Sequence, residues 1–159
     1  MQFRISRRSA IKGIGALALL SGVSACSSMG GSGAGANDQL FGAAKSGNVT
    51  AIEGALATGA DVNAFDYSER KNGRTALSYA AQNNHPDAIR ALVAAGAQVN
   101  LANNTGYTAL HHAAEAGAVE AAKTLLELGA DKNLRHLGGF TPRNVALENN
   151  HPELAELLR

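Results

Sequence analysis

The chain has 159 residues, enough for one ordinary domain, but only four Phe, three Tyr and no Trp, with abundant Gly and Ala. Small side chains suit thin elements that approach closely and bury modest areas, rather than one deep core. The formal charge is +1, yet residues 1–25 contribute +4 and the remainder −3, and a mildly acidic body excludes a binder that grips phosphates through clustered Lys and Arg. No nucleic-acid partner is expected.

The N-terminal segment reads as an address. Arg4, Arg7, Arg8 and Lys12 make a positive head, Ile11 to Ala25 are otherwise apolar or small, and Val23-Ser24-Ala25 precede the single cysteine, Cys26. Charged region, short apolar region and small residues before a cleavage point are the layout of a secretory signal. The apolar run falls short of the ~20 residues that span a bilayer. The alternative is an uncleaved N-terminal anchor. Ser6-Arg7-Arg8-Ser9-Ala10-Ile11-Lys12 resembles a twin-arginine export motif, with Ala10 and Ile11 in place of its usual Phe and Leu; a general secretory signal is the other reading. Val23-Ser24-Ala25-Cys26 resembles a bacterial lipobox, which implies a diacylglyceryl-modified Cys26 as the mature N-terminus. Ordinary cleavage after Ala25 would instead leave a lone exposed thiol, a liability in an oxidising space. Lipid on Cys26 would be the membrane contact, since acyl chains contribute ~0.8 kcal/mol per buried methylene. With one cysteine, no intrachain disulfide can staple the fold. Gly13-Ile14-Gly15-Ala16-Leu17-Ala18 has the spacing of a dinucleotide fingerprint but follows a basic head rather than a strand, so it is no cofactor site. Residues 26–37, Gly- and Ser-rich after Cys26, read as a flexible linker.

Residues 38–159 read as the folded domain, and they repeat. Gly73, Gly106 and Gly139 are 33 residues apart, and Thr75, Thr108 and Thr141 each follow two residues later. Gly59-Ala60-Asp61, Gly96-Ala97-Gln98 and Gly129-Ala130-Asp131 recur at 37 and 33, the extra four residues lying in the loop 61–74. Leu40/Ala43/Ala44, Leu77/Ala80/Ala81 and Leu110/Ala113/Ala114 each mark one helical face at i, i+3, i+4. Ile52/Ala55/Leu56, Ile89/Leu92/Val93 and Ala122/Leu125/Leu126 mark a second helix after a polar turn. Thr75 and Thr108 stand at N-cap positions, with Asp38 equivalent in the first unit. Pro86 and Pro152 open second helices, and Gly59, Gly96 and Gly129 close them. Helices this short need stacking to persist.

Thr108-Ala109-Leu110-His111 resembles the Thr-Pro-Leu-His tetrapeptide of the ankyrin family, and Ala113-Ala114, Leu125-Leu126, Gly129-Ala130-Asp131 and Asn133 continue its consensus in register. The resemblance covers four units, roughly 38–70, 71–103, 104–136 and 137–159. It implies an all-α ankyrin-repeat solenoid of helix-turn-helix units with β-hairpin-like finger loops and a concave face. The first unit lacks the tetrapeptide, and the fourth has Arg143 where Leu is usual. Such polar changes suit terminal units whose outer faces meet water, so the array is expected to be complete.

No sequence pattern points to catalysis, a cofactor or a metal. His85 and His151 share a turn position, His111 belongs to the tetrapeptide, and His112 and His136 stand off the pattern, without zinc-like spacing. Lys45-Ser46 follows no glycine-rich turn, and Glu115, Glu120 and Glu127 read as solvated helical acids. Variation within the repeat is more informative. Between the recurring Gly and Thr stand Arg74, Tyr107 and Phe140, a cation-plus-aromatic stripe of the types enriched at binding hot spots. The family resemblance places this position on the fingers, facing a partner. Lys71, Asn104 and Leu137 flank it, Gln82 and Glu115 line the adjacent inner helix, and Phe65, Asp66, Tyr67 and Arg70 extend the same edge. Packing of Tyr107 and Phe140 against their own fingers is the competing reading. The expectation is a monomeric, non-enzymatic protein-binding scaffold, exported and lipid-anchored in a bacterial envelope facing the periplasm, on the inner or, in a cell with two membranes, the outer membrane. The alternatives are an enzyme or small-ligand protein with a concave pocket, or a stabiliser of one co-exported enzyme.

Overall fold

The computed structural model describes residues 34–68 and 71–159. The signal, the lipobox with Cys26, most of the linker and Arg70 lie outside them. Eight helices follow in pairs: α1 (Ala34–Ser46) with α2 (Val49–Ala57), α3 (Ala76–Gln82) with α4 (Pro86–Ala94), α5 (Ala109–Ala116) with α6 (Val119–Glu127), and α7 (Pro142–Glu148) with α8 (Pro152–Leu157). The first helices of successive pairs pack on one another (α1 on α3, α3 on α5, α5 on α7), and the second helices do likewise. Leu77 and Leu92 are buried in the second unit, Leu110 and Leu125 in the third, side by side along the stack.

Local chemistry sets the helix ends. The Thr75 hydroxyl accepts from Ser78 N at 3.2 Å, and Thr141 and Asn144 cap each other reciprocally, Thr141 N donating to Asn144 Oδ1 at 3.1 Å. Gly59, Gly96 and Gly129 have φ of +96°, +99° and +92°, and the next residue's N–H reaches back five residues, as from Ala60 to the Ala55 carbonyl at 3.1 Å.

One expected boundary is corrected. Helix α1 begins at Ala34, so Asp38 lies inside it rather than at its cap. Ala36 is buried, and Asn37 Oδ1 accepts from Asp61 N at 2.8 Å, so this extra turn gains both apolar cover and a tertiary hydrogen bond. Gly and Ala composition hid it, because the stabilising partner is 24 residues away.

The fingers are tight turns, with no strand among the described residues. The first holds an isolated antiparallel bridge between Asp66 and Arg74, whose backbones exchange hydrogen bonds of 2.7 and 2.9 Å. The others close through Asn103 N to the Tyr107 carbonyl (2.9 Å) and His136 N to the Phe140 carbonyl (3.2 Å). The four-residue insertion therefore lies between Asp66 and Arg74.

Candidate interaction face

Each finger is folded by the side chain that opens it. Asp66 Oδ1 accepts from Ser68 N at 2.8 Å, Asn103 Oδ1 from Thr105 N at 2.9 Å, and His136 Nδ1 from Gly138 N at 2.8 Å. His136 is therefore in register after all: with Asp66 and Asn103 it fills a repeating turn-acceptor position, which its different residue type concealed. Asn103 also accepts from Tyr107 N at 3.0 Å and donates to the Gly73 carbonyl at 3.1 Å, tying its finger to the preceding one. The tips join at Asn104 N to the Asn72 carbonyl (3.1 Å) and Leu137 N to the Thr105 carbonyl (2.9 Å).

The three residues of the stripe have different fates. Arg74 is buried, its guanidinium 5.6 Å from the Tyr79 ring and its Nη1 donating to Gln82 Oε1 at 2.5 Å, so it is no exposed anchor. Tyr107 is half-buried: its ring stacks on His136 at 4.7 Å and stands 5.3 Å from both His111 and His112. Phe140 is exposed, with its ring 5.6 Å from His136. His136 is thus the wedge between Tyr107 and Phe140, and the two aromatic residues both pack on the fingers and line their surface. Among the described residues the exposed large apolar side chains are Tyr67, Leu137, Phe140 and Leu147. Three of the four lie on fingers. Leu147 is equivalent to Ala81 and Ala114, which a following unit covers. Lys71 and Asn104 are exposed on the tips, while Phe65 is half-buried beside Tyr67, the rings 6.2 Å apart.

The inner helices carry a row at one register position: Lys45 on α1, Gln82 on α3, Glu115 on α5 and Glu148 on α7. Its charge runs from positive to negative along the stack. At the positive end a groove of about 510 Å³ is lined by Lys45, Arg74, Tyr79 and Gln82. At the next finger a smaller one of about 210 Å³ is lined by Tyr107, His112 and Glu115. Glu115 is less solvated than its helical position suggests, with its Oε2 3.5 Å from His112 Nδ1. Burial, then the charges of Glu115 and Glu148, raise the Tyr107 pKa above 10.0, away from proton transfer near neutrality. His111 is fully buried, and burial holds its pKa down at about 4. Its Nδ1 accepts from Thr108 N at 3.2 Å and its Nε2 faces the Phe140 carbonyl at 3.3 Å, which makes it a neutral structural link between units. No group of three or more His, Cys, Asp or Glu among the described residues could hold a metal ion.

A family model described as ankyrin repeats in three copies matches residues 40–136. No curated protein matches the chain.

Proposed function

Because the chain belongs to the ankyrin-repeat family, whose members generally serve as protein–protein interaction modules, we propose that it is a non-enzymatic scaffold that binds a partner protein along its finger tips and inner-helix face. The observation that carries this reading is that three of the four exposed large apolar side chains among the described residues, Tyr67, Leu137 and Phe140, stand on the fingers. Apolar side chains gathered on rigid loops and rimmed by polar residues are the usual surface of a binding site. Tyr107, Gln82 and Glu115 adjoin that edge and supply the polar part of the contact.

Substituting Leu137→Ser together with Phe140→Ser should abolish capture of the partner from envelope extracts while leaving the thermal midpoint nearly unchanged. Undiminished capture would reject this surface. We further propose that lipid on Cys26 holds the domain in the envelope, facing the periplasm, after export by the twin-arginine route. Mass spectrometry of the mature N-terminus should find diacylglyceryl-modified Cys26; an unmodified N-terminus would remove the anchor.

A further inference from the structure

We propose that the groove over the C-terminal ends of α1, α3 and α5 is a carboxylate-binding subsite, in which Arg74 takes the side chain of an Asp or Glu from an extended segment of the partner protein. This deepens the scaffold reading and rests on it.

The starting observation is an incompletely used cation. Arg74 is 5% exposed, and among the described residues no carboxylate lies within ion-pair distance of it. Among the described residues only Nη1 is engaged, by Gln82, and Nε and Nη2 are buried without a hydrogen-bond partner. Those two N–H groups lie side by side in the guanidinium plane and form its side-on fork, the geometry that meets both oxygens of one carboxylate. Buried guanidinium N–H groups without acceptors are costly for a fold, and a carboxylate is the acceptor that matches them.

The surroundings favour an anion. Lys45 Nζ lies 4.3 Å from the centroid of the same Tyr79 ring that Arg74 adjoins, so two cations share one aromatic platform and one groove. Asp66, whose backbone bridges to Arg74, has both oxygens engaged, Oδ1 by Ser68 N and Oδ2 by Tyr79 OH, each at 2.8 Å. Asp38 lines the neighbouring groove with Asp66, on the other side of Lys45. Along the inner row, Glu115 and Glu148 make the opposite end negative. A bound segment is therefore oriented with its acidic residue toward Arg74 and away from Glu115 and Glu148. Because Nε and Nη2 lie beneath the groove surface, engagement requires the guanidinium to turn into the groove about its terminal torsions, with Gln82 following.

The test titrates the full chain with hexaglutamate, hexaglutamine and inorganic phosphate, following the Arg74 Nε–H resonance and the dissociation constant. Hexaglutamate should shift that resonance and bind at least about tenfold more tightly than either comparison probe. Arg74→Lys keeps the charge but removes the fork, and should weaken hexaglutamate about tenfold. Gln82→Glu sets an internal carboxylate on the same guanidinium, at Nη1, and should weaken hexaglutamate similarly, which covers the case of an Arg74 variant that does not fold. Native-like hexaglutamate binding by either variant, or phosphate matching hexaglutamate at Arg74, overturns the subsite. If hexaglutamate fails to bind but Leu137→Ser/Phe140→Ser still abolishes partner capture, the subsite falls and the scaffold stands. If hexaglutamate binds and that double substitution leaves capture intact, the finger surface falls instead.

Discussion

His111 shows how one side chain can hold two units together only while neutral. Thr108 N donates to its Nδ1, so the ring proton sits on Nε2, directed at the Phe140 carbonyl of the next unit. Burial lowers its pKa from 6.5 to about 4, and the neighbouring His136 and His112 push the same way. The sign follows: the unfolded chain takes up a proton near pH 6.5, whereas the folded one resists until about 4. Its contribution is therefore complete above pH 6.5, is lost as the pH falls through that window, and changes little below it. Urea midpoints should drop between those pH values. His111→Gln should cost about 1–3 kcal/mol at pH 7.5 through lost buried hydrogen bonds and flatten the drop; an unchanged slope would assign it elsewhere. Asp66 acts at lower pH: burial alone would raise its pKa, but hydrogen bonds from Ser68 and Tyr79, with Lys45 nearby, hold it below 3.8, so its contribution is lost only in stronger acid. Residue order places His111 in a family tetrapeptide, where the resemblance implies a structural hydrogen-bonder, but gives no depth of burial.

Between elements, the units are laced by asparagines outside the helices. Asn63 donates to the Gly96 carbonyl and accepts from Gln98 N; Asn100, 37 residues on, repeats both bonds with the Gly129 carbonyl and Asp131 N. Asn133 stands in the same register, but its side chain has no such partner unit among the described residues. Asn100→Ala should therefore cost about 1–2 kcal/mol in denaturant unfolding, while Asn133→Ala should stay within about 0.5 kcal/mol. Equal losses would mean that the side chains act within their own loops. The finger glycines answer to a similar constraint. At Gly106, φ is +82° and an added Cβ would stand 2.9 Å from the His136 Cα, so backbone of the next finger occupies the space a side chain needs. Helix spacing and glycine positions were legible from the 33-residue period; the early start of α1 was not, because its partner lies in a distant loop.

At the scale of the whole stack, each helix finds its extensive contacts within its own unit or an adjacent one. Stability in such an array is close to a sum of unit and neighbour terms, so damage at an end stays local while damage inside propagates. Leu92 and Leu154 are both fully buried, and truncating either to Ala should cost about 2–5 kcal/mol at its own site. Leu92→Ala should lower hydrogen-exchange protection on both sides of α4. Leu154→Ala should confine the loss to residues 137–159, and an even loss across the chain would contradict the neighbour-coupled picture. The same linear order gives the face its polarity, since one register position carries Lys45, Gln82, Glu115 and Glu148 in turn.

The repeat, the eight-helix architecture of the described residues and the finger positions were written in the residue order itself, because cap hydroxyls, positive-φ glycines and i, i+3, i+4 apolar faces act over a few residues and recur at a fixed period. Tertiary structure alone decided which side chains those positions expose. Arg74, Tyr107 and Phe140 share one register, yet they end buried, half-buried and exposed. Their neighbours differ: Arg74 lies against Tyr79 and Gln82, while His136 lies between Tyr107 and Phe140. Exposure is set by what the adjacent unit brings, and contacts across units are not encoded within one period of the repeat.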